Sequence, residues 1–134
     1  MKNPFAPGDT RTYPTVVTED KLARFADEGL VHPVYGTFAL AQDAEWVCRL
    51  FVLEMKEAGE EGVGSFVSVR HVAPAPVGTA VRLVARLERV EGNAVWCSWQ
   101  CWAGERLIAE GEQEQRILDQ ARFAALIDRL RPQP

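Results

Sequence analysis

Two side chains in this sequence have the type and placement for general acid–base chemistry: Glu45 on a long apolar segment and His71 at the end of an alternating one. Glu45 precedes Arg49 by four residues, so two readings stand side by side. In one, the two form an ion pair on a helix surface, worth roughly 0.2–0.5 kcal/mol. In the other, Glu45 lies where the surrounding structure opens, and it handles a proton. His71 follows Val67 and Val69 at a spacing of two, which turns it to the same side of a strand as those apolar residues. It also precedes a loop containing Pro74, Pro76 and Gly78, and loops of this kind often carry sites. A hydrogen-bonded structural histidine is the alternative. Thr37 lies eight residues before Glu45, a separation of ~12 Å along a helix axis, so helix geometry alone does not join the three.

The elements that must position these residues are legible from periodicity. From Thr37 to Met55 the chain is apolar on almost every side, which marks a helix inside something. Asp43, Glu45, Arg49, Glu54 and Lys56 interrupt it too often for a membrane span of about 20 residues. Gln42, Glu45, Arg49 and Lys56 fall in one narrow polar stripe. Thr37 is the expected N-cap and Gly59 the expected stop.

Before this helix, residues 1–11 read as a loose arm, Thr12 to Val17 as a short strand, and Thr18 to Gly29 as a small helix with Leu22 and Phe25 inward. After it, Gly64 to Val72 alternates as one strand, with Phe66, Ser68 and Arg70 on the face opposite His71. Thr79 to Val90 has an inner set of Val81, Leu83, Ala85 and Leu87. Ala94 to Trp102 and Arg106 to Leu118 follow across the tight turns at Gly92 and Gly104, and Asp119 caps a terminal helix. Short connections require antiparallel neighbours. The pattern is α+β: a curved antiparallel sheet wrapped round one long helix, the hotdog architecture, in a single domain over 1–134. Such a sheet leaves open edges, so a homodimer or a dimer of dimers is expected.

The totals exclude several classes. A net charge of −4 and a pI near 5.2 advertise neither a nucleic-acid nor an anionic-membrane partner. The start of the chain is polar and proline-rich, unlike a signal peptide, and a cytoplasmic protein is expected. The three cysteines sit in hydrophobic settings and read as reduced thiols. Cys97 and Cys101 share a strand face roughly 13 Å apart, too far for a disulfide. No histidine or second cysteine pair is spaced to complete a metal site with them.

The segment Gly36 to Cys48, with Thr37 eight residues before Glu45-Trp46, resembles the fluoroacetyl-CoA thioesterase family of the hotdog superfamily. So does Gly64-Ser65-Phe66-Val67-Ser68-Val69-Arg70-His71, with its proline-containing loop and Gly78. The resemblance runs along residues 34–118 and includes Val90-Glu91-Gly92. It implies an acyl-CoA thioesterase in which Thr37, Glu45 and His71 are catalytic and Gly64 is part of the site. Glu45, partly desolvated beside Trp46 and Phe38, would be the base toward water or Thr37. His71 would orient water or stabilise the intermediate. Helix-start amides and the backbone near Gly64 would bind the oxyanion. Phe38 stands where the family has glycine, and the segment Thr18 to Val34, which shapes the acyl pocket, departs from the family.

Coenzyme A enters only as part of the substrate, with no separate cofactor. Outward-facing Arg70, Arg82, Arg86 and Arg116 are the candidates for its phosphates. Two rivals share the fold: an acyl-CoA dehydratase or hydratase, which needs an Asp/His pair, and a non-catalytic acyl-CoA-binding or regulatory module in which Arg49 neutralises Glu45.

Overall fold

The computed structural model describes residues 1–134. Its elements run β1 (Thr10–Val16), a single 3-10 turn (Glu19–Lys21), β2 (Leu22–Phe25), β3 (Gly29–Tyr35), α1 (Thr37–Met55), β4 (Glu60–Val67), β5 (Arg70–His71), β6 (Ala80–Glu91), β7 (Ala94–Ala103), β8 (Arg106–Asp119) and α2 (Gln120–Leu130). The main sheet has the order β1-β6-β7-β8-β4, with β5 also on β8, and every pairing is antiparallel. It curls as a half-barrel round α1, the hotdog arrangement. The inner face of β6 is the expected set, Val81, Leu83, Ala85 and Leu87. Opposite it on β7 are Val95, Cys97, Trp99 and Cys101, all buried. The cysteines are free thiols. A hydrogen bond from Cys97, then burial, push the Cys48 thiol well up.

The sheet covers only one side of α1. Leu40, Val47, Phe51, Val52 and Met55 are fully buried, each worth about 1.5–3 kcal/mol. Phe38, Trp46 and Leu53 on the outer flank of the helix are 52 %, 41 % and 39 % exposed, and Trp46 there meets the Tyr13 ring of β1 edge-on.

Three expectations need correction. Thr18 to Gly29 is not a helix: after one 3-10 turn it forms a β2–β3 hairpin, which closes on Gly29 at φ +75. The run Val31–Tyr35 with Pro33 in its middle favours an extended strand over a helical turn. Residues 1–9 are not loose. Phe5 meets the Phe51 ring edge-on at 5.0 Å, the Lys2 amide donates to the Met55 carbonyl, and the Gly8 amide donates to Leu87. The third concerns the helix ends. Gly36 is the N-cap, Thr37 is the first helical residue, and α1 stops at Met55, four residues before Gly59.

Where α1 crosses β4 the strand presents Gly62 inward. A Cβ there would lie 2.5 Å from the Val52 Cγ1 atom. Val52 is fully buried and β-branched on a helix, so it has little room to turn. Gly62→Ala is therefore expected to destabilise the fold by about 1–3 kcal/mol through overpacking. Chemical denaturation measures this; an unchanged midpoint would show that the helix can retreat from the sheet.

Candidate active site

Thr37 and His71, thirty-four residues apart in sequence, meet in the fold. The Thr37 Oγ1 lies 3.1 Å from the His71 Nδ1. Two local features bring this about. At the start of α1, Gly36 supplies the N-cap with an extended backbone (φ −77, ψ 145) and no side-chain cap. The Thr37 hydroxyl therefore does not cap the helix and is free to face His71. The first amides of α1, at Thr37 and Phe38, have no partner within the helix and point out of the same end.

The second feature is a break in the strand that carries His71. The sequence suggests one alternating strand from Gly64 to Val72, but Ser65 bulges out of register and pairing is lost at Ser68 and Val69 before β5 begins. The Ser68 carbonyl dips over Gly111 of β8, where a Cβ would lie only 1.9 Å from it. The buried Trp99 indole donates to that carbonyl at 3.2 Å, and the Ser68 Oγ accepts from the Glu112 amide at 2.9 Å. This kink aims β5, and with it His71, at the start of α1. The His71 Nε2 is buried without a hydrogen-bond partner.

Thr37 and His71 open into a cavity of about 450 Å³, which the β2–β3 hairpin roofs. Ala23, Phe25, Val34 and Phe38 make its walls largely apolar, and Arg24 and His32 add polar groups at its rim. Sequence reasoning missed Arg24 because it placed Thr18 to Gly29 in a helix, and His32 because Leu30 to Val34 read only as the lead into the central helix. The hairpin signal that would have found them is the Asp27-Glu28-Gly29 turn before a β-branched run.

Glu45 lies elsewhere. It is eight residues along α1 from Thr37, ~12 Å up the axis, and it makes no contact with His71 or Thr37 through hydrogen bonds. Its carboxylate is exposed, contrary to the desolvated setting expected for it. It borders a second, shallower cavity with Tyr13, Lys21, Gln42, Asp43, Trp46 and Arg49. Gly64 belongs to Glu45 and not to the Thr37–His71 pair: a Cβ at Gly64 would sit 2.2 Å from the Glu45 Oε1. The ion pair with Arg49 does not form. Arg49 bonds Glu61 at 2.6 Å instead, and Glu45 keeps an unpaired carboxylate.

Asp43, the neighbouring acid on α1, is buried and fully engaged. It accepts from the Tyr35 hydroxyl and pairs with the Lys21 Nζ at 2.8 Å. Burial, then this bond to Asp43, push the Tyr35 phenol far up. Of the outward arginines, Arg86 and Arg116 are held by Glu88 and Glu114. Arg70 faces a separate groove with Ser68, Ser98, Glu110 and Glu112, on the far side of β5 from His71.

Residues 17–121 match the FlK family, described as fluoroacetyl-CoA-specific thioesterase. The fluoroacetyl-CoA thioesterase of Streptantibioticus cattleyicolor is 28 % identical over 139 residues, covering 98 % of this chain and 99 % of the relative. The crystal structure of a Thermus thermophilus protein described as a thioesterase superfamily member superposes with a TM-score of 0.91 at 41 % identity, over 95 % of this chain and 93 % of that one. The structure of the fluoroacetyl-CoA thioesterase FlK superposes with a TM-score of 0.89 at 25 % identity, over 96 % and 98 %. A match to the family model across most of the chain, on this fold, places the chain in the FlK family of hotdog thioesterases.

Proposed function

We propose that this protein hydrolyses small or medium acyl-CoA thioesters to the free acid and coenzyme A, using Thr37, Glu45 and His71. Its family makes it an acyl-CoA thioesterase; the roles and the acyl range are our reading. The observation that carries it is the Thr37 hydroxyl 3.1 Å from the His71 imidazole, beside free helix-start amides at an apolar cavity. Thr37 presents an oxygen to the thioester carbonyl, and His71 orients it and shares its proton. Charge developing on the carbonyl oxygen meets the amides of Thr37 and Phe38, with the positive end of α1 behind them. The acyl chain lies against Phe38, Val34 and Phe25, and coenzyme A enters as part of the substrate. Glu45, unpaired at the Gly64 edge and ~12 Å along the helix axis from Thr37, is the base that activates water in a site completed by the second copy described below. The family's fluoroacetyl group is one member of the range to be tested and not the assumed substrate.

Two observations weigh against the rivals. Arg49 does not neutralise Glu45, which removes the basis of the non-catalytic reading. Asp43 is committed to Tyr35 and Lys21, which leaves the helix no free aspartate for a dehydratase.

The same reading includes a homodimer. Strand β4 ends the sheet with one side unpaired, and Phe66 and Val67 are exposed on it at 47 % and 39 %. A second copy adding its own β4 edge would cover these residues and bring its own surface toward Glu45 and Gly64. Sedimentation equilibrium is expected to give twice the chain mass; a monomer at micromolar concentration would remove the dimer from this proposal.

A panel of acyl-CoA thioesters with a thiol-detecting reagent tests the activity, and failure on every member would end it. Glu45→Gln and His71→Ala are each expected to lower kcat/KM by roughly 10²–10⁴. Thr37→Ala is expected to lose turnover with a stability change within about 0.5 kcal/mol, because its hydroxyl caps nothing, while Thr37→Ser keeps much of the activity. A stability loss the size of a missing cap would return Thr37 to a structural role. Gly64→Ala, which forces the Glu45 carboxylate aside at an exposed position, is expected to reduce kcat with little change in melting temperature.

A further inference from the structure

Arg49 stands four residues past Glu45, the spacing at which a helix joins opposite charges. It reaches the other way. Its Nη2 donates to the Glu61 Oε1 at 2.6 Å and its Nη1 to the Gly62 carbonyl at 3.0 Å. Glu61 is gripped in turn by the Lys56 Nζ at 2.9 Å and the Gly62 amide at 2.9 Å. Glu45 accepts through its backbone carbonyl from the Gln115 Nε2 at 3.1 Å, but its carboxylate takes no bond at all.

We propose that Glu61, braced by Lys56, is a positioning residue that holds Arg49 away from Glu45 and so keeps that carboxylate unpaired and able to accept a proton. The inference rests on the reading of Glu45 as the base. An arginine seated on a carboxylate favours its ionised form and fills its lone pairs, which weakens it as a proton acceptor. A helix with Glu and Arg at this spacing makes that pairing by default. Glu61 prevents it by offering Arg49 a better partner on the adjacent strand.

The clamp is also insensitive to moderate acid. Lys56 first, then the Gly62 amide and Arg49, hold the Glu61 carboxyl down at about 2, so it stays ionised as pH falls through the ordinary carboxylate range. The other groups facing Glu45 are accounted for. Lys21 and Asp43 are paired with each other, Tyr13 approaches from β1, and Cys48 lies on α1 itself. On β4 the neighbour is Gly64, and on β8 it is Gln115, neither charged. Loss of Glu61 would release Arg49 and Lys56, and of the two it is Arg49, one helical turn from Glu45, that lies at pairing distance in sequence.

The test compares Glu61→Gln, Arg49→Gln, the double variant and Glu61→Asp. Two readouts are taken: the pH profile of kcat/KM on the best acyl-CoA of the panel, and the titration of Glu45 followed by carboxyl NMR. Glu61→Gln is expected to move the acid limb and the Glu45 titration down by about one pH unit as Arg49 swings over. It is expected to cost about tenfold in kcat/KM, a part of the roughly 10²–10⁴ that a base supplies. The double variant and Arg49→Gln are expected to keep the wild-type limb, since neither leaves an arginine to intercept Glu45. Glu61→Asp keeps the charge with a shorter reach and is expected to shift both readouts the same way by less, which serves if Glu61→Gln is too unstable. An unmoved Glu45 titration in Glu61→Gln, or a double variant no better than the single, would overturn the inference. If Glu45→Gln retains full activity, the base role fails by itself, and the NMR titration still decides whether Glu61 keeps Arg49 off Glu45.

Discussion

Helix α1 lies against β4 at a distance only glycine permits, and the placement of the candidate site follows from that approach. Gly62 faces Val52 and Gly64 faces Glu45, seven residues apart on the helix, so one strand meets two turns of one helical stripe. A side chain at Gly64 would push the exposed Glu45 carboxylate aside, whereas one at Gly62 would lift the helix from the sheet. The apolar residues beneath, Leu40, Val47, Phe51 and Met55, would then lose their close packing against the inner faces of β6 and β7. The same approach places Glu45 at the rim of the sheet, within reach of the edge strand. Close packing and an exposed acid are thus two consequences of one pair of glycines.

The far end of the helix needs a different device, because its hydroxyl is engaged with His71 and does not cap. Asp43, one and a half turns in, is buried, and an unpaired buried carboxylate would cost several kcal/mol. It is satisfied from two directions, by Tyr35 at the end of β3 and by Lys21 at the 3-10 turn, whose ammonium also reaches the Thr15 Oγ1 on β1 at 3.1 Å. The gain is geometric: four segments, β1, the turn, β3 and α1, are tied at one point just below Gly36. The hairpin roof and the start of α1 therefore move together, which keeps the cavity wall in register with Thr37.

How much of this was readable in the sequence depends on whether the determinant was local. The long helix, the inner set of β6 and the three long strands follow from hydrophobic period, and they lie where the period places them. The family motif named Thr37, Glu45 and His71, but the pairing of the first with the third needed a kink that no local pattern shows. Ser68 breaks the strand because Gly111, forty-three residues on, leaves room for its carbonyl, and because Trp99 donates to it. Strand β2 and the hairpin turn were read as a helix because capping residues at Thr18 to Asp20 and apolar residues at 22 and 25 mimic one. Pro33 and the glycine at 29 carried the opposing signal. The Glu45–Arg49 pair failed for a similar reason. An i,i+4 rule counts partners on the helix, whereas Glu61 competes from a strand.

The separation of Glu45 from the Thr37–His71 pair fits the rest of the surface. The unpaired edge of β4 carries the exposed Phe66 and Val67, and the Glu45 carboxylate lies above Gly64 of the same strand, while the part-exposed Trp46 of α1 sits beside Tyr13 of β1. Apolar residues of this size, grouped beside a free strand edge, are costly to leave in water and invite cover. Cover over this face would dry the Glu45 carboxylate and deepen the shallow cavity it borders, strengthening every polar interaction there. A single chain therefore holds a formed Thr37–His71 pair and a carboxylate kept unpaired at an open face. The bare β4 edge, with Phe66 and Val67, is where the second chain of the proposed dimer would attach.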